Sequence, residues 1–378
     1  MSRFRRALSL SLACSIVVLE TGCAVAPGME IPSAMKHESE SLSSAQRAND
    51  ASVPITEIDA KVVALQASRT EADIQRVAVD LAGPVTAYKI GPADVLQVIV
   101  WDHPELAAAQ GSQPTAAPRP ADPPQGVVVD EDGYIQFPYV GRLKVSGLST
   151  GEIQTRLRAA LAEYFRSPQV TVRIASFRAR RVFVDGEVHA PGTQQLNDVP
   201  MTLIEAIGRA GGFTPNADKA RLVLARGGRT YAVDIPALLA HGEDPASLML
   251  RSGDVLRVMS REESGAYVMG EVVKPTTAIP KPDGVLTLAD ALSQAGSLNA
   301  ATSNPRQLYV VRGAKGAQPE VFHLDARSPV AMVMAGRFKL QPDDVVYVDA
   351  TDLVRVNRVL TLLLPAINAA LTGAVVTK

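Results

Sequence analysis

The chain has 378 residues, enough for several domains, and its 38 lysines and arginines nearly balance its 39 aspartates and glutamates. This near-neutral charge, without a long basic block, argues against nucleic acid as the ligand. Aromatic residues make up only 4 % of the chain, which disfavours the aromatic-lined sugar cleft of a lectin or a glycosidase.

Residues 1–22 are typical of a secretion signal, with three arginines before an apolar run that is too short to span a bilayer. The run leads into Gly22-Cys23, which resembles the end of a bacterial lipobox, although Glu20 stands where such motifs usually have Leu. Cys14 lies inside the signal, so the mature chain keeps one cysteine and forms no internal disulfide. We predict that Cys23 is acylated; an ordinary signal peptide with a chance cysteine is the alternative.

Residues 23–84 are polar and rich in Ser, Ala and Glu, which favours a lipid-anchored, partly extended segment with short pieces of structure. Residues 85–176 carry the first set of strong strand and helix patterns. The predicted elements are strands at 95–101, 126–137 and 141–145, an amphipathic helix at 151–165 and a strand at 169–174. Residues 107–125 are rich in Pro, Ala and Gln and are predicted to be a loop.

The segment Gly147-Leu-Ser149-Thr-Gly151 fits the G-x-S-x-G pattern of hydrolases, so a catalytic serine has to be considered. Ser149 also lies three residues before Glu152 and directly before the predicted helix, which is the pattern of a helix capping box. We predict the cap. The five histidines show no metal-ligand spacing, so the sequence indicates no metal, no cofactor and no enzyme.

An internal repeat follows, with an offset of about 84 residues. Phe183-Val-Asp-Gly-Glu-Val-His-Ala-Pro191 matches Tyr267-Val-Met-Gly-Glu-Val-Val-Lys-Pro275, and the helix patterns at 201–211 and 286–296 match as well. Each copy ends on a Val-rich strand. Residues 177–262 and 263–350 are therefore predicted to be two β-grasp-like α+β modules.

Three aspartates occupy the same local position, directly before a Val-rich strand: Asp94, Asp254 and Asp344. Aspartate in a turn commonly accepts hydrogen bonds from nearby backbone amides, and we predict that role here. Direct contact with a sugar or an ion is the alternative.

Residues 351–378 are dominated by an apolar run with a narrow polar stripe. Its 24 central residues would reach about 36 Å as a helix, enough to cross a bilayer core of about 30 Å. The sequence favours a transmembrane helix whose polar stripe faces a lumen shared by several copies, and a core helix packed on the protein is the alternative. The predicted pore-lining residues are Asn357, Arg358, Thr361, Asn368 and Thr372.

Several motifs resemble the Wza-type outer-membrane polysaccharide export lipoproteins. Four segments resemble the export domain of that family: Tyr88-Lys-Ile-Gly-Pro-Ala-Asp94, the Trp101-Asp-His-Pro segment, Pro138-Tyr-Val-Gly141 and Ser167-Pro-Gln-Val170. The repeated Gly-Glu-Val units resemble its soluble-ligand-binding β-grasp (SLBB) domains. The resemblance runs from Cys23 to about residue 370.

The resemblance implies a homo-oligomeric ring, an octamer in the Wza type, with most of its mass in the periplasm of a Gram-negative bacterium. The C-terminal helices would form an α-helical barrel through the outer membrane that passes capsular polysaccharide or exopolysaccharide. The periplasmic end would meet an inner-membrane co-polymerase, often a tyrosine autokinase. An alternative function is a periplasmic ligand-binding or scaffolding lipoprotein whose C-terminal helix docks on a partner.

The expected fold class is thus α+β. The chain would be modular and periplasmic, with a polysaccharide export domain, two β-grasp-like repeats and a C-terminal amphipathic transmembrane helix that builds an oligomeric barrel.

Overall fold

A computed structural model describes residues 54–83, 87–108, 125–313 and 319–355, together with Asn357. The chain divides into two compact units. The first unit comprises Thr70–Arg261 and Pro282–Gly284. The second unit comprises Glu262–Lys281, the described part of Val285–Lys378 and the described residues before Thr70.

The described chain begins with strand β1 (Ile55–Glu57) and helix α1 (Ala60–Leu81). The carboxylate of Asp59 accepts hydrogen bonds from the amides of Lys61 and Val62 and so satisfies two free donors at the helix start. Further along the helix, the spacing of the buried residues matches one helix face: Ile74, Val77, Ala78 and Leu81. The expectation of a partly extended segment with short pieces of structure is therefore wrong for residues 60–81.

The region after α1 contains a three-stranded antiparallel sheet of order β3-β2-β6, a β4–β5 hairpin and one longer helix. Its elements are β2 (Val95–Val100), α2 (Pro104–Ala108), β3 (Val127–Val128), β4 (Tyr134–Phe137), β5 (Gly141–Lys144), α3 (Thr150–Leu161) and β6 (Val170–Ser176). Helix α3 buries Ile153, Leu157 and Leu161, one residue per turn, in the core of this region. The predicted order of strands and longer helix is confirmed, except that the strand expected over 126–137 is two strands, β3 and β4, and that the short helix α2 was not predicted. Most of the loop predicted over 107–125 lies outside the described residues.

The first repeat forms a five-stranded mixed sheet of order β10-β9-β11-β7-β8. Its elements are β7 (Arg181–Gly186), β8 (Gly192–Gln195), α4 (Leu203–Arg209), β9 (Ala217–Arg226), β10 (Arg229–Val233), α5 (Ile235–Ala240), a 3-10 turn (Pro245–Ser247) and β11 (Val255–Ser260). Strands β7 and β11 are parallel, and the other pairs are antiparallel.

The second repeat has the same strand order, β15-β14-β16-β12-β13, with β1 added in parallel to its β15 edge. Its elements are a 3-10 turn (Glu262–Ser264), β12 (Ala266–Gly270), β13 (Thr276–Ala278), α6 (Leu288–Gln294), β14 (Ser303–Arg312), β15 (Glu320–Leu324), α7 (Pro329–Ala335) and β16 (Val345–Ala350). The identical strand order shows that the sequence repeat is a structural repeat.

The glycine of each Gly-Glu-Val motif lies where the first strand of a repeat ends against the last. Gly186 and Gly270 have φ angles of +84° and +89°. A Cβ atom at these positions would lie 2.0 and 2.1 Å from the carbonyl oxygens of Val258 and Val348. Only glycine fits this close approach, which explains why the motif recurs at equivalent positions.

The two strand-preceding aspartates of the repeats are buried, with 2 % and 1 % of their surfaces exposed. Asp254 accepts from the backbone amide of Arg251, and Asp344 accepts from that of Gln341, which confirms the predicted turn role. Each carboxylate also binds an arginine at 2.6 and 2.8 Å, respectively Arg226 on β9 and Arg312 on β14.

These arginines also tie the turn to the rest of the sheet. The same Nη2 atom that binds the carboxylate donates to a backbone carbonyl, that of Met249 for Arg226 and that of Lys339 for Arg312. The arginines were not predicted as partners, because they lie 28 and 32 residues from their aspartates along the chain.

Helix α3 begins with the predicted capping box. The Ser149 hydroxyl accepts from the amide of Glu152 at 3.3 Å, and the Glu152 carboxylate accepts from the Ser149 amide at 2.7 Å. The Ser149 amide and hydroxyl and the Lys89 ammonium, in that order of effect, lower the pKa of the Glu152 carboxyl to about 2. The Ser149 hydroxyl also donates to this carboxylate. Together these three bonds make Ser149 the N-cap of α3.

The fold class needs a correction. The described residues form mixed α/β structure, and none of their helices is long and apolar enough to cross a membrane. The longest, α1, carries six charged residues in its 22. The prediction of a transmembrane helix that builds an α-helical barrel is therefore wrong for the described residues.

The predicted pore-lining positions fall at the edge of that part or beyond it. Residues 352–355 are helical, Leu353 is 79 % exposed, and Arg355 pairs with Asp349 at 2.5 Å. Asn357 is helical and exposed. The other predicted positions lie outside the described residues: Arg358, Thr361, Asn368 and Thr372.

The buried ion pairs give a stability prediction. Asp254→Ala leaves the Arg226 guanidinium buried without its carboxylate, and we expect the free energy of unfolding to fall by about 3–5 kcal/mol. Asp344→Ala should act in the same way on the second repeat. Urea unfolding followed by circular dichroism measures both changes.

The matched control is Asp325→Ala, because the Asp325–Arg327 pair has about half of each side chain exposed to water. There we expect a change of about 0–1 kcal/mol. Equal losses in the exposed and the buried variants would contradict the prediction.

The capping box gives a second prediction. Ser149→Ala should lower the free energy of unfolding by about 1 kcal/mol, because the amide of Glu152 loses its side-chain acceptor.

Glu152 gives a prediction for the pH dependence of stability. Since folding lowers the pKa of the Glu152 carboxyl, the stabilisation by this carboxylate is present above pH 4.5 and is lost as the pH falls toward 2. Glu152→Gln should therefore flatten the pH dependence of the unfolding midpoint over this interval. If wild type and variant lose stability in parallel, Glu152 does not contribute through the cap.

Candidate functional site

Among the residues singled out as functional by sequence, Cys23 lies outside the described residues. The part of the chain that is described contains no cluster of three or more His, Cys, Asp or Glu side chains suited to a metal ion. In the first folded region, by contrast, three sequence motifs lie close together. These are the Trp101-Asp-His-Pro segment, Pro138-Tyr-Val-Gly141 and Ser167-Pro-Gln-Val170.

The three segments are adjacent in the folded chain, although they are about 30 residues apart in sequence. Trp101 at the end of β2 donates its backbone N–H to the carbonyl of Gln169 at 2.9 Å. The His103 and Tyr139 rings both contact Phe165, which follows α3. We call the four rings that contact one another the aromatic surface, defined by His103, Tyr139, Tyr164 and Phe165.

Phe165 lies at the centre of the ring contacts. Its centroid is 4.2 Å from that of His103 and 5.1 Å from that of Tyr139, the latter nearly perpendicular at 82°. Tyr139 also contacts Tyr164, with centroids 5.5 Å apart. The three separations, and the edge-to-face geometry of the Tyr139–Phe165 pair, are favourable for aromatic pairs. The rings therefore support one another in fixed positions.

Two of these aromatic side chains are nevertheless open to solvent. Tyr139 and Tyr164 are 56 % and 57 % exposed. Trp101 is also exposed, at 60 %, but it lies on the face of the β2–β6 sheet away from the core, where its indole Nε1 donates to the hydroxyl of Thr171 at 3.2 Å.

The backbone at this surface is strained in each of the three segments. Asp102, Tyr139 and Ser167 have φ angles of +66°, +66° and +57°, a conformation that residues other than glycine rarely adopt. Such strain persists where the surrounding contacts over-determine it, and it clusters at functional sites. The strained turns hold the aromatic residues beside them in place.

His103 has a structural position in this cluster. Its backbone N–H donates to the carbonyl of Val100, and its Nδ1 lies 2.8 Å from the Glu105 carboxylate. The backbone N–H of Glu105 and then His103 hold the pKa of that carboxyl below its usual value. His103 thus fixes the turn after β2.

The Tyr88-Lys-Ile-Gly-Pro-Ala-Asp94 motif acts as a structural anchor. The buried Asp94 carboxylate accepts from the Tyr88 hydroxyl at 2.8 Å and from the Gly91 amide at 3.0 Å. It also accepts from the amides of Arg178 and Ala179 at 2.8 and 2.9 Å. Burial and the Asp94 carboxylate raise the pKa of Tyr88, so this hydroxyl remains a donor.

A separate cavity of about 440 Å³ lies beside this anchor. Its lining includes the side chains of Arg180, Arg251 and Met201, and the Arg180 guanidinium lies 5.3 Å from the centre of the Tyr88 ring. The cavity combines positive charge with apolar surface, unlike the aromatic surface.

Family models match most of the described chain. A polysaccharide biosynthesis/export protein model matches residues 82–175, and an SLBB domain model matches residues 180–258 and 264–348. The aromatic surface lies entirely within the first of these matches.

The chain is also similar to named proteins. It is 42 % identical to the EPS I polysaccharide export outer membrane protein EpsA of Ralstonia nicotianae, over 96 % of each chain. It is 26 % identical to the capsule polysaccharide export protein BexD of Haemophilus influenzae, over 72 % of this chain and 74 % of BexD. It is 22 % identical to the capsule polysaccharide export outer membrane protein CtrA of Neisseria meningitidis, over 96 % and 97 %. Because the chain is 42 % identical to EpsA over 96 % of its length, it belongs to the Wza-type family of outer-membrane polysaccharide export proteins.

Proposed function

We propose that this protein exports capsular polysaccharide or exopolysaccharide through the outer membrane. The observation that carries the proposal is the 42 % identity, over 96 % of both chains, with an outer-membrane protein named for polysaccharide export.

The geometry does not favour an enzyme. The one hydrolase-like serine, Ser149, is held in a capping box. The carboxylates of Asp94, Asp254 and Asp344 are buried and bonded to amides or arginines, so they stabilise strand starts. The relatives are named as export proteins, which agrees with a non-catalytic role.

The finer assignments are part of the proposal. Residues 85–176 form the export domain, and residues 177–262 and 263–350 form the SLBB-like repeats. The protein acts as a homo-oligomer, an octamer by resemblance to the Wza type, and meets an inner-membrane co-polymerase of the tyrosine autokinase kind. Removal of residues 1–22 leaves Cys23 to carry the lipid that anchors the chain to the outer membrane. That the polar positions between Asn357 and Thr372 contact the polymer stays a prediction.

Deletion of the gene tests the export function. We expect surface polysaccharide to be lost while polymer accumulates inside the cell envelope, and a plasmid copy should restore the surface polymer. Immunogold labelling of the polymer on cell sections distinguishes the two locations. If polymer still reaches the surface in the deletion strain at the wild-type level, the protein is not the exporter.

Replacement of the two cysteines tests the lipid anchor. Cys23→Ala should abolish incorporation of radioactive palmitate and reduce the amount of protein in the outer-membrane fraction. Cys14→Ala is the matched control, because Cys14 lies inside the predicted signal and should leave both readouts unchanged. Equal palmitate labelling of the Cys23→Ala variant and the wild type would refute acylation at this residue.

A further inference from the structure

We propose that the cavity beside Tyr88 binds a carboxylate-bearing sugar residue of the exported polysaccharide, and that Arg180 and Arg251 recognise the carboxylate. The inference rests on the proposed export function and adds to it the chemical class of the polymer, an acidic polysaccharide. Three features of the cavity carry it: the apolar lining, the two positive charges, and the lack of a structural need for those charges.

The cavity has the size and lining of a small-molecule site. Its volume of about 440 Å³ lies within the range of about 300–1,000 Å³ that is typical of ligand pockets. Buried apolar side chains form part of the lining: Leu196, Met201 and Leu250. Asn197 and Ser252 add neutral polar groups. A sugar ring presents C–H groups that pack on the apolar side chains and hydroxyl groups that bond to the polar ones.

The two arginines give the cavity a positive charge. Arg180 is half-buried and Arg251 is exposed, and no aspartate or glutamate is among the described residues that line the cavity. Within the described parts of the chain, neither guanidinium forms an ion pair with a carboxylate. The buried Asp94 carboxylate accepts bonds from the Tyr88 hydroxyl and from backbone amides, and Asp254 pairs with a different arginine. Both guanidinium groups can therefore bind an anion from outside the chain.

The second repeat shows that the fold does not require these two charges. When the Gly-Glu-Val units are aligned, Arg180 corresponds to Ser264. Arg251 corresponds to Gln341, because each donates its backbone amide to the strand-preceding aspartate of its own repeat. The two repeats have the same strand order, so the sheet forms equally with neutral side chains at both positions. The positive charges are thus specific to the first repeat.

The guanidinium of Arg180 is held in place before a ligand arrives. It lies 5.3 Å from the centre of the Tyr88 ring, a favourable cation–π separation. The Tyr88 ring is itself fixed by its hydroxyl bond to Asp94 and by an edge contact with Phe177 at 5.0 Å. A guanidinium that stacks on a ring keeps its N–H edge for a carboxylate, which can accept two parallel bonds from it. Little conformational freedom is then lost on binding.

The second arginine is a more exposed contact. The Nη2 atom of Arg251 lies next to Gly83, another residue of the lining. Because this side chain is exposed, water and salt screen its interaction with an anion. We therefore expect Arg251 to contribute less to affinity than Arg180, and we expect binding to weaken as the ionic strength rises.

Calorimetric titration of the detergent-solubilised full-length protein tests the site. The probes are tetragalacturonate and the acidic oligosaccharides obtained by partial hydrolysis of the polysaccharide that the source bacterium secretes. The matched neutral ligand is fully methyl-esterified tetragalacturonate, which has the same sugar rings without the charge. We expect saturable binding of the acidic probes and roughly 10-fold or weaker binding of the ester.

Two variants carry the residues of the second repeat and should therefore keep the fold. Arg180→Ser should weaken binding of the acidic probes roughly 10-fold, and Arg251→Gln roughly 2- to 5-fold. The matched control is Arg229→Gln, which removes an exposed arginine on β10 of the same repeat that does not line the cavity. It should leave binding unchanged. Circular dichroism reports the folding of each variant.

Several results would overturn the proposal. These are the absence of saturable binding with both acidic probes, equal affinity for the methyl ester, and equal weakening by Arg229→Gln. A secreted polysaccharide without carboxylate groups, found by sugar analysis, would overturn it as well. Any of these results in a protein whose deletion abolishes export would refute only the acidic-sugar site. Export that persists after gene deletion would refute the function itself.

Discussion

A buried carboxylate has to be matched by hydrogen-bond donors, and this requirement fixes the start of a central strand in each folded region of the protein. Asp94, Asp254 and Asp344 each accept a bond from the amide three residues earlier. In the repeats an arginine from a neighbouring strand completes the set. In the first region the Tyr88 hydroxyl and two amides take its place. The same local arrangement of a carboxylate and a backbone amide thus occurs in three separate sheets.

The same requirement also determines the position of the exposed Trp101 at the far end of β2. Asp94 fixes the beginning of β2, and β2 pairs with β6 in an antiparallel register that places Val100 opposite Val170. Trp101 follows directly at the end of β2, and its amide bonds to Gln169 just before β6. The position of the exposed indole is therefore set by a strand whose other end is held by a buried carboxylate.

Local patterns in the sequence predicted what local interactions determine. The Ser149 cap, the turn role of the aspartates and the repeated Gly-Glu-Val unit all depend on residues within a few positions of one another. Arg226 and Arg312 could not be identified as partners, because nothing local relates them to aspartates about 30 residues away. Helix α1 was missed because its buried face involves only a few residues in a polar stretch. The transmembrane prediction relied on a terminal pattern alone, and none of the described helices carries it.

The aromatic surface shows the limit of arguments from composition. A chain with 4 % aromatic residues was expected to lack an aromatic sugar site, yet an average says nothing about where those residues lie. Folding brings the rings of His103, Tyr139 and Phe165, which come from separate segments, into contact. The sequence could not predict this cluster, because each ring contact joins residues that are far apart along the chain.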